Sequence, residues 1–181
     1  MAYTTIDNPE LYFQTKLYTG TAGAQALTLD GDENMQPNFV WLKRRDGGTG
    51  YSHMLYDSVR GATKHIKTNA TAVEVAVSDA LTSFDSDGFT LGANTAGTHA
   101  TEINYDGGSY VSWNWKESAT AGFDIVSYAG TGSAKTEAHS LSAVPKLIIV
   151  KNRDAADAWQ VYHGANTAAP ETDHIVLNTT A

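Results

Sequence analysis

The 181-residue sequence contains no cysteine, so it offers neither a disulfide framework nor a thiolate metal site and is compatible with either redox compartment. It also lacks an excess of basic charge: 12 Lys and Arg stand against 20 Asp and Glu, a formal net charge of −8 at pH 7. Nucleic-acid binders present a basic surface that releases counterions from phosphates. The compact cluster Lys43-Arg44-Arg45, followed at once by Asp46, does not make such a surface, and no nucleic-acid partner is expected. No stretch approaches the ~20 apolar residues of a membrane-spanning helix, and the first residues lack the basic and apolar regions of a signal peptide. The reading is a chain made in a cytoplasm without membrane insertion. Proline is scarce, at 4 residues, and helix formers are concentrated nowhere.

What is present is turn-rich and β-like. Hydrophobic residues make up 41% of the chain, enough for a core, and 16 Gly and 9 Tyr accompany many Thr and Ser. In "YVSWNWK" (110–116), Val111, Trp113 and Trp115 alternate with Tyr110, Ser112, Asn114 and Lys116, the period of a half-buried strand. "FVWLK" (39–43) and "LIIVK" (147–151) are short continuous apolar runs, which predict central strands covered on both faces. Further strands are expected at 11–18, 25–29, 53–57, 63–67, 73–77, 88–91, 123–128, 159–163 and 174–178. Asp46-Gly47-Gly48, Asp87-Gly88 and Asp106-Gly107-Gly108 supply reversals, and 93–101 reads as an exposed loop. This pattern predicts an all-β fold, an antiparallel β-sandwich of jelly-roll or similar type.

The chain also repeats itself. "PNFVWLKRRD" (37–46) returns as "PKLIIVKNRD" (145–154), Tyr18-Thr19-Gly20-Thr21 as Tyr128-Ala129-Gly130-Thr131, Leu55-Tyr56 as Val161-Tyr162, and His65-Ile66 as His174-Ile175. The expected organisation is a first unit over 1–116, a linker at 117–122 and a partial second unit over 123–181. Residues 73–77, 84–91 and 110–116 have no counterpart before Ala181, so the second unit reads as about half present. Either the chain continues beyond Ala181 in its full-length form, or something else completes the unit.

Few residues invite chemistry. Asp30, Asp32 and Asn34 have the D-x-D-x-N spacing that opens a calcium loop, but Met35 replaces the required Gly and Trp41 the closing Glu. A solvated turn is the competing explanation, with Ca2+ the alternative. Asp85 and Asp87 could pair as glycosidase carboxylates, yet they lead into a Gly turn where such groups bond the backbone. The six histidines show no zinc spacing, and no nucleophile elbow or phosphate loop is present, so the chain reads as a non-enzyme. Aromatic side chains are the better lead, because Trp and Tyr on a β surface stack on sugar rings. Tyr51, Tyr105, Tyr110, Trp159 and Tyr162, beside turns or loops, are the candidate glycan contacts. Trp41, Trp113 and Trp115 lie in apolar runs and are assigned mainly to the core.

The stretches "ELYFQTKLYTGT", "LDGDENMQPNFVWLKRRD", "LTSFDSDGFTLG", "YVSWNWK" and "VPKLIIVKNRDAADAWQVYH" resemble a tandem repeat of virion structural proteins from tailed, especially marine, bacteriophages. That family is often described as tail-fibre-like or concanavalin A-like. The resemblance implies a repeated β-sandwich module displayed on the virion, with other virion proteins, further copies of itself and host surface polysaccharide as partners. It implies no catalytic residues. A head-decoration or tail-assembly subunit is the alternative role, and a capsule or lipopolysaccharide depolymerase a weaker one.

Overall fold

The computed structural model describes residues 6–179 except 48–49 and 94–97. After a short 3-10 turn at Pro9–Leu11 come β1 (Phe13–Thr19), β2 (Gln25–Leu27), β3 (Phe39–Arg44), β4 (Met54–Asp57), β5 (Lys64–Lys67) and β6 (Val75–Ala76). β7 (Leu81–Asp85), β8 (Gly88–Leu91), a short helix α1 (Thr98–Ile103), β9 (Ser109–Trp115), β10 (Leu147–Val150), β11 (Gln160–His163) and β12 (Ile175–Val176) follow. All strand pairs are antiparallel. They form a six-stranded sheet β1-β9-β3-β4-β5-β6 and two three-stranded sheets, β2-β8-β7 and β10-β11-β12.

The six-stranded sheet and β2-β8-β7 share one core. Tyr18, Val40, Leu42, Met54, Tyr56 and Tyr110 come from the first, and Leu27, Leu81, Phe89 and Leu91 from the second. Apolar area removed from water between two facing sheets is the main driving term for such a fold. Ile103 of α1 closes one end of this core, and α1 is tied down by Tyr18 Oη, which donates to Ile103 O at 2.8 Å. Helix α1 occupies part of 93–101, where an exposed loop was expected. Residues 94–97 of that stretch, and Gly48 of the first turn, lie outside the described residues.

The alternation of β9 is present, but the buried face is the polar one. Tyr110, Ser112 and Asn114 are fully buried, while Val111, Trp113 and Trp115 lie half-buried on the outer face. Cross-strand register explains this. Asn114 and Ser112 sit opposite Val40 and Leu42 of β3, whose inner side is fixed by the larger core. Asn114 Nδ2 donates to Gln14 O at 3.1 Å and to Ser112 Oγ at 2.9 Å. The outer aromatic rings find partners too: Trp115 lies 4.7 Å from Phe13 and 5.2 Å from Phe39, with Phe123 folding over both. Both faces of β9 are covered, so alternation alone could not say which points inward.

In β10-β11-β12 the pairs Ile148↔Tyr162, Ile149↔Val161 and Val161↔Ile175 reproduce Val40↔Tyr56, Trp41↔Leu55 and Leu55↔Ile66 of β3-β4-β5. The sequence correspondence is thus matched by the same strand order and the same register. The surroundings differ. β10 is an edge strand whose four residues are all exposed, not the doubly covered central strand expected at 147–151. The expected strand at 123–128 does not form: β1, its counterpart, pairs only with β9, and no second β9 follows among the described residues. Only an isolated bridge joins Ser118 to Phe123.

The β10-β11-β12 sheet is seated through one face on β4 and β5 of the six-stranded sheet. Trp159 is 5% exposed against Leu55 and Ile66, and its Nε1 donates to Lys67 O at 3.0 Å and Ala70 O at 3.2 Å. Glu74 N donates to Arg153 O at 3.0 Å. Glu74 also bridges Arg153 at 3.5 Å and the buried Arg60 at 3.1 Å, and Arg60 in turn pairs with Asp57 at 2.5 Å.

Candidate functional site

Three of the aromatic residues singled out by sequence converge on one cation. Arg44, at the end of β3, places its guanidinium carbon 4.4 Å from the centre of the Tyr51 ring, 4.9 Å from Tyr105 and 6.0 Å from Tyr110. Antiparallel pairing sets Arg44 opposite Tyr110, and the Asp46-Gly47 turn, with Gly47 at φ +79°, bends the chain back. Asp46 then accepts from Arg44 Nε at 2.6 Å and from Ser109 N at 2.9 Å. The Arg44 bond, then the Ser109 amide, hold the Asp46 carboxyl below its usual range, and the same ion pair holds Arg44 above its own. Arg44 Nη1 donates to Thr101 O at 3.2 Å, completing a cluster in which the cation is neutralised and clamped between rings.

The three tyrosines are not equivalent. Tyr110 is buried, stacked on Tyr18 at 5.1 Å, and its hydroxyl donates to Thr101 O and accepts from Tyr105 N. Burial raises its pKa. Tyr110 is therefore a core residue and not a surface contact. Tyr105, 49% exposed, and half-buried Tyr51 rest against Arg44 and keep part of their outer surface exposed. Trp159 is likewise corrected: its ring and its N–H are both consumed by the first unit. Tyr162 lies apart from the Arg44 cluster, on a groove of about 370 Å3 lined also by Ile148, Val150, Gln160 and His174.

The acidic candidates hold structure. Asp30 pairs with Lys16, Asp32 N donates to Glu10 Oε2 at 2.9 Å, and Gln14 holds Gly31 N and Glu33 O. Asp30, Asp32 and Asn34 thus lie in a turn braced by these bonds. Among the described residues there is no group of three or more His, Cys, Asp or Glu side chains placed to hold a metal ion. Asp85 accepts from Ser83 Oγ and Thr90 Oγ1, both at 2.7 Å, and Asp87 accepts from Met35 N at 3.3 Å. These are the bonds of turn carboxylates.

Two features escaped the sequence reading. One is the outward aromatic row of Phe13, Trp115 and Phe39, whose only sequence signal was the Trp spacing assigned to the core. The other is the bare inner face of β10-β11-β12. Ile148 is 43% and Val150 37% exposed, where Val40 and Leu42 at the matching positions are 0% exposed.

A family model described as "Domain of unknown function (DUF7483)" matches residues 8–181, and the chain belongs to that family. Neither curated proteins nor solved structures gave a match.

Proposed function

We propose that this DUF7483 chain is a structural module of a tailed-bacteriophage particle, a tail-fibre or appendage component built from repeated antiparallel β-sandwiches. In this reading residues 1–116 are one sandwich of jelly-roll or concanavalin A-like type, 117–122 the linker, and 123–181 part of a second unit. The observation that carries it is the shared strand order and register of β3-β4-β5 and β10-β11-β12. Serial modules suit an extended particle component, and its partners are other virion proteins and further copies. Mass spectrometry of purified particles of the phage encoding the chain tests this: peptides from it belong among the particle proteins. Their confinement to the infected-cell lysate would sink the reading.

Contact with host surface glycans is a second role, favoured by the exposed parts of Tyr51 and Tyr105 braced on Arg44. Multivalent display turns weak single contacts into avidity. Displayed on beads, the chain adsorbs host cells, and Tyr105→Ala reduces adsorption at least about tenfold if each copy loses one stacking contact. Equal adsorption by the variant removes the glycan role and leaves the structural one.

A further inference from the structure

We propose that Glu117 and Asp124 form an acid-sensitive clasp: one proton shared between their carboxyls holds the chain reversal at 117–125 closed, and its loss loosens that reversal. The clasp controls how firmly Phe123 is seated on the Phe39 and Trp115 rings.

Backbone bonds set the reversal. Ser118 N donates to Phe123 O at 2.9 Å and Phe123 N to Ser118 O at 3.1 Å, with Gly122 at φ +71° turning the chain between them. Two residues that exchange both bonds lie directly opposite each other, so one step outward Glu117 faces Asp124. Like charges facing across a pair are destabilising. Both carboxyls are nevertheless held in place: Glu117 Oε1 accepts from Ile125 N at 3.0 Å, and Asp124 Oδ2 from Ser140 N at 2.7 Å. Glu117 N is anchored in turn on Asn38 Oδ1 at 2.9 Å. The closed reversal sets the Phe123 ring 5.5 Å from Phe39 and 6.3 Å from Trp115.

Among the described residues no lysine or arginine pairs with either carboxyl. Asp57, the other acid that acts on Glu117, is committed to Arg60, which also bridges Glu74. His139, beside Ser140, is exposed, and its Nδ1 accepts from Leu141 N at 3.2 Å. The two carboxyls are left to each other, and they are displaced in opposite directions. Burial, then the facing Asp124 and the charge of Asp57, hold Glu117 above its ordinary 4.5 against the pull of the Ile125 amide. Burial pushes Asp124 up, but bonds from Ser140, Glu117 and Ile125 outweigh it and leave Asp124 below its ordinary 3.8. Such a split belongs to a pair holding one proton between them. The raised Glu117 contributes stability that is complete below 4.5 and is lost as pH rises through its folded value. The lowered Asp124 loses its own contribution only in acid stronger than 3.8. The reversal is therefore tightest in mild acid and loosest at neutral pH and above.

The test titrates the full chain, labelled with 13C and 15N, from about pH 3 to about pH 8 by NMR. The Glu117 carboxyl carbon is expected to titrate with a midpoint above 4.5, and that of Asp124 below 3.8. Protection of the Ser118 and Phe123 amides, referred to intrinsic exchange at each pH, falls along the Glu117 curve. The loss approaches about tenfold for each unit that separates the Glu117 midpoint from 4.5. Resonances of the Phe123 ring move with it. Glu117→Gln, whose amide donates to Asp124 and accepts from Ile125 N at every pH, keeps the two amides protected throughout. Asp124→Asn removes the facing charge, and the Glu117 midpoint drops toward 4.5. A midpoint that Asp124→Asn leaves in place overturns the proposal, because burial is then its sole cause. So does amide protection that stays constant across the Glu117 titration. Protection restored at the alkaline end by millimolar calcium also overturns it, since a cation and not a proton then occupies the pair.

Discussion

At the scale of the residue, the junction between sheets depends on Asn104. Its fully buried amide accepts from Thr21 N at 3.0 Å and Gln25 Nε2 at 2.7 Å, and donates to Gly23 O at 2.8 Å and Gly92 O at 3.1 Å. Asn104→Ala strands these partners and is expected to cost about 3–4 kcal/mol in urea denaturation. Gly88 has φ +103°, and an added Cβ would stand 2.0 Å from Leu27 O, so Gly88→Ala costs about 3 kcal/mol by the same measurement. Gly61, at φ +102° but with open space around it, provides the contrast, its Ala variant losing only about 1–2 kcal/mol. His53 accepts from Trp41 Nε1 at 3.1 Å, and burial, then the charge of Lys43, hold its pKa below the ordinary 6.5. The unfolded chain therefore protonates this residue first. Stability falls as pH drops below about 6.5 and stops falling beneath the depressed folded value. Melting temperature measured from about pH 7 to pH 5 is expected to vary less in His53→Gln than in the unsubstituted chain.

At the scale of the element, Trp159 fixes β10-β11-β12 to the first unit. Trp159→Ala removes a buried ring and two hydrogen bonds, about 3–5 kcal/mol of attachment. Hydrogen exchange is expected to rise across 146–178 while β1, β3 and β9 keep their protection. A uniform rise over all strands would show that the two parts unfold as one. Strand positions were largely legible in the sequence because period two and Asp-Gly punctuation are local signals. The correspondence of Tyr56 with Tyr162 and of His65 with His174 was legible for the same reason. Which face of β9 points inward was not legible. Asn114 is accommodated by Gln14, a hundred residues away, and Trp115 is covered by Phe123 from the following segment. The Arg44 cluster was half legible: Tyr51 and Tyr105 flank turns, but the cation between them comes from β3, and the burial of Tyr110 and Trp159 is a tertiary fact.

At the scale of the whole molecule, the principal core draws every member from residues 18–110. A chain ending at residue 118 is thus expected to keep a cooperative thermal transition by near-ultraviolet circular dichroism, weakened by uncovering Leu55 and Ile66. Loss of the transition would mean that the second part completes the core. With a net charge of −8 and an isoelectric point near 5.0, turbidity is expected to peak close to pH 5, where self-repulsion vanishes. The β1–β9 pairing has a mechanical meaning as well. Phe13 lies opposite Trp115, so the chain enters and leaves the six-stranded sheet at the same end of that ladder. Tension along the polypeptide would therefore open the rungs one after another, beginning under the Phe13, Trp115 and Phe39 rings, instead of loading all seven together. The aromatic row sits at the first rung to be strained, where it acts as a latch on a zipper.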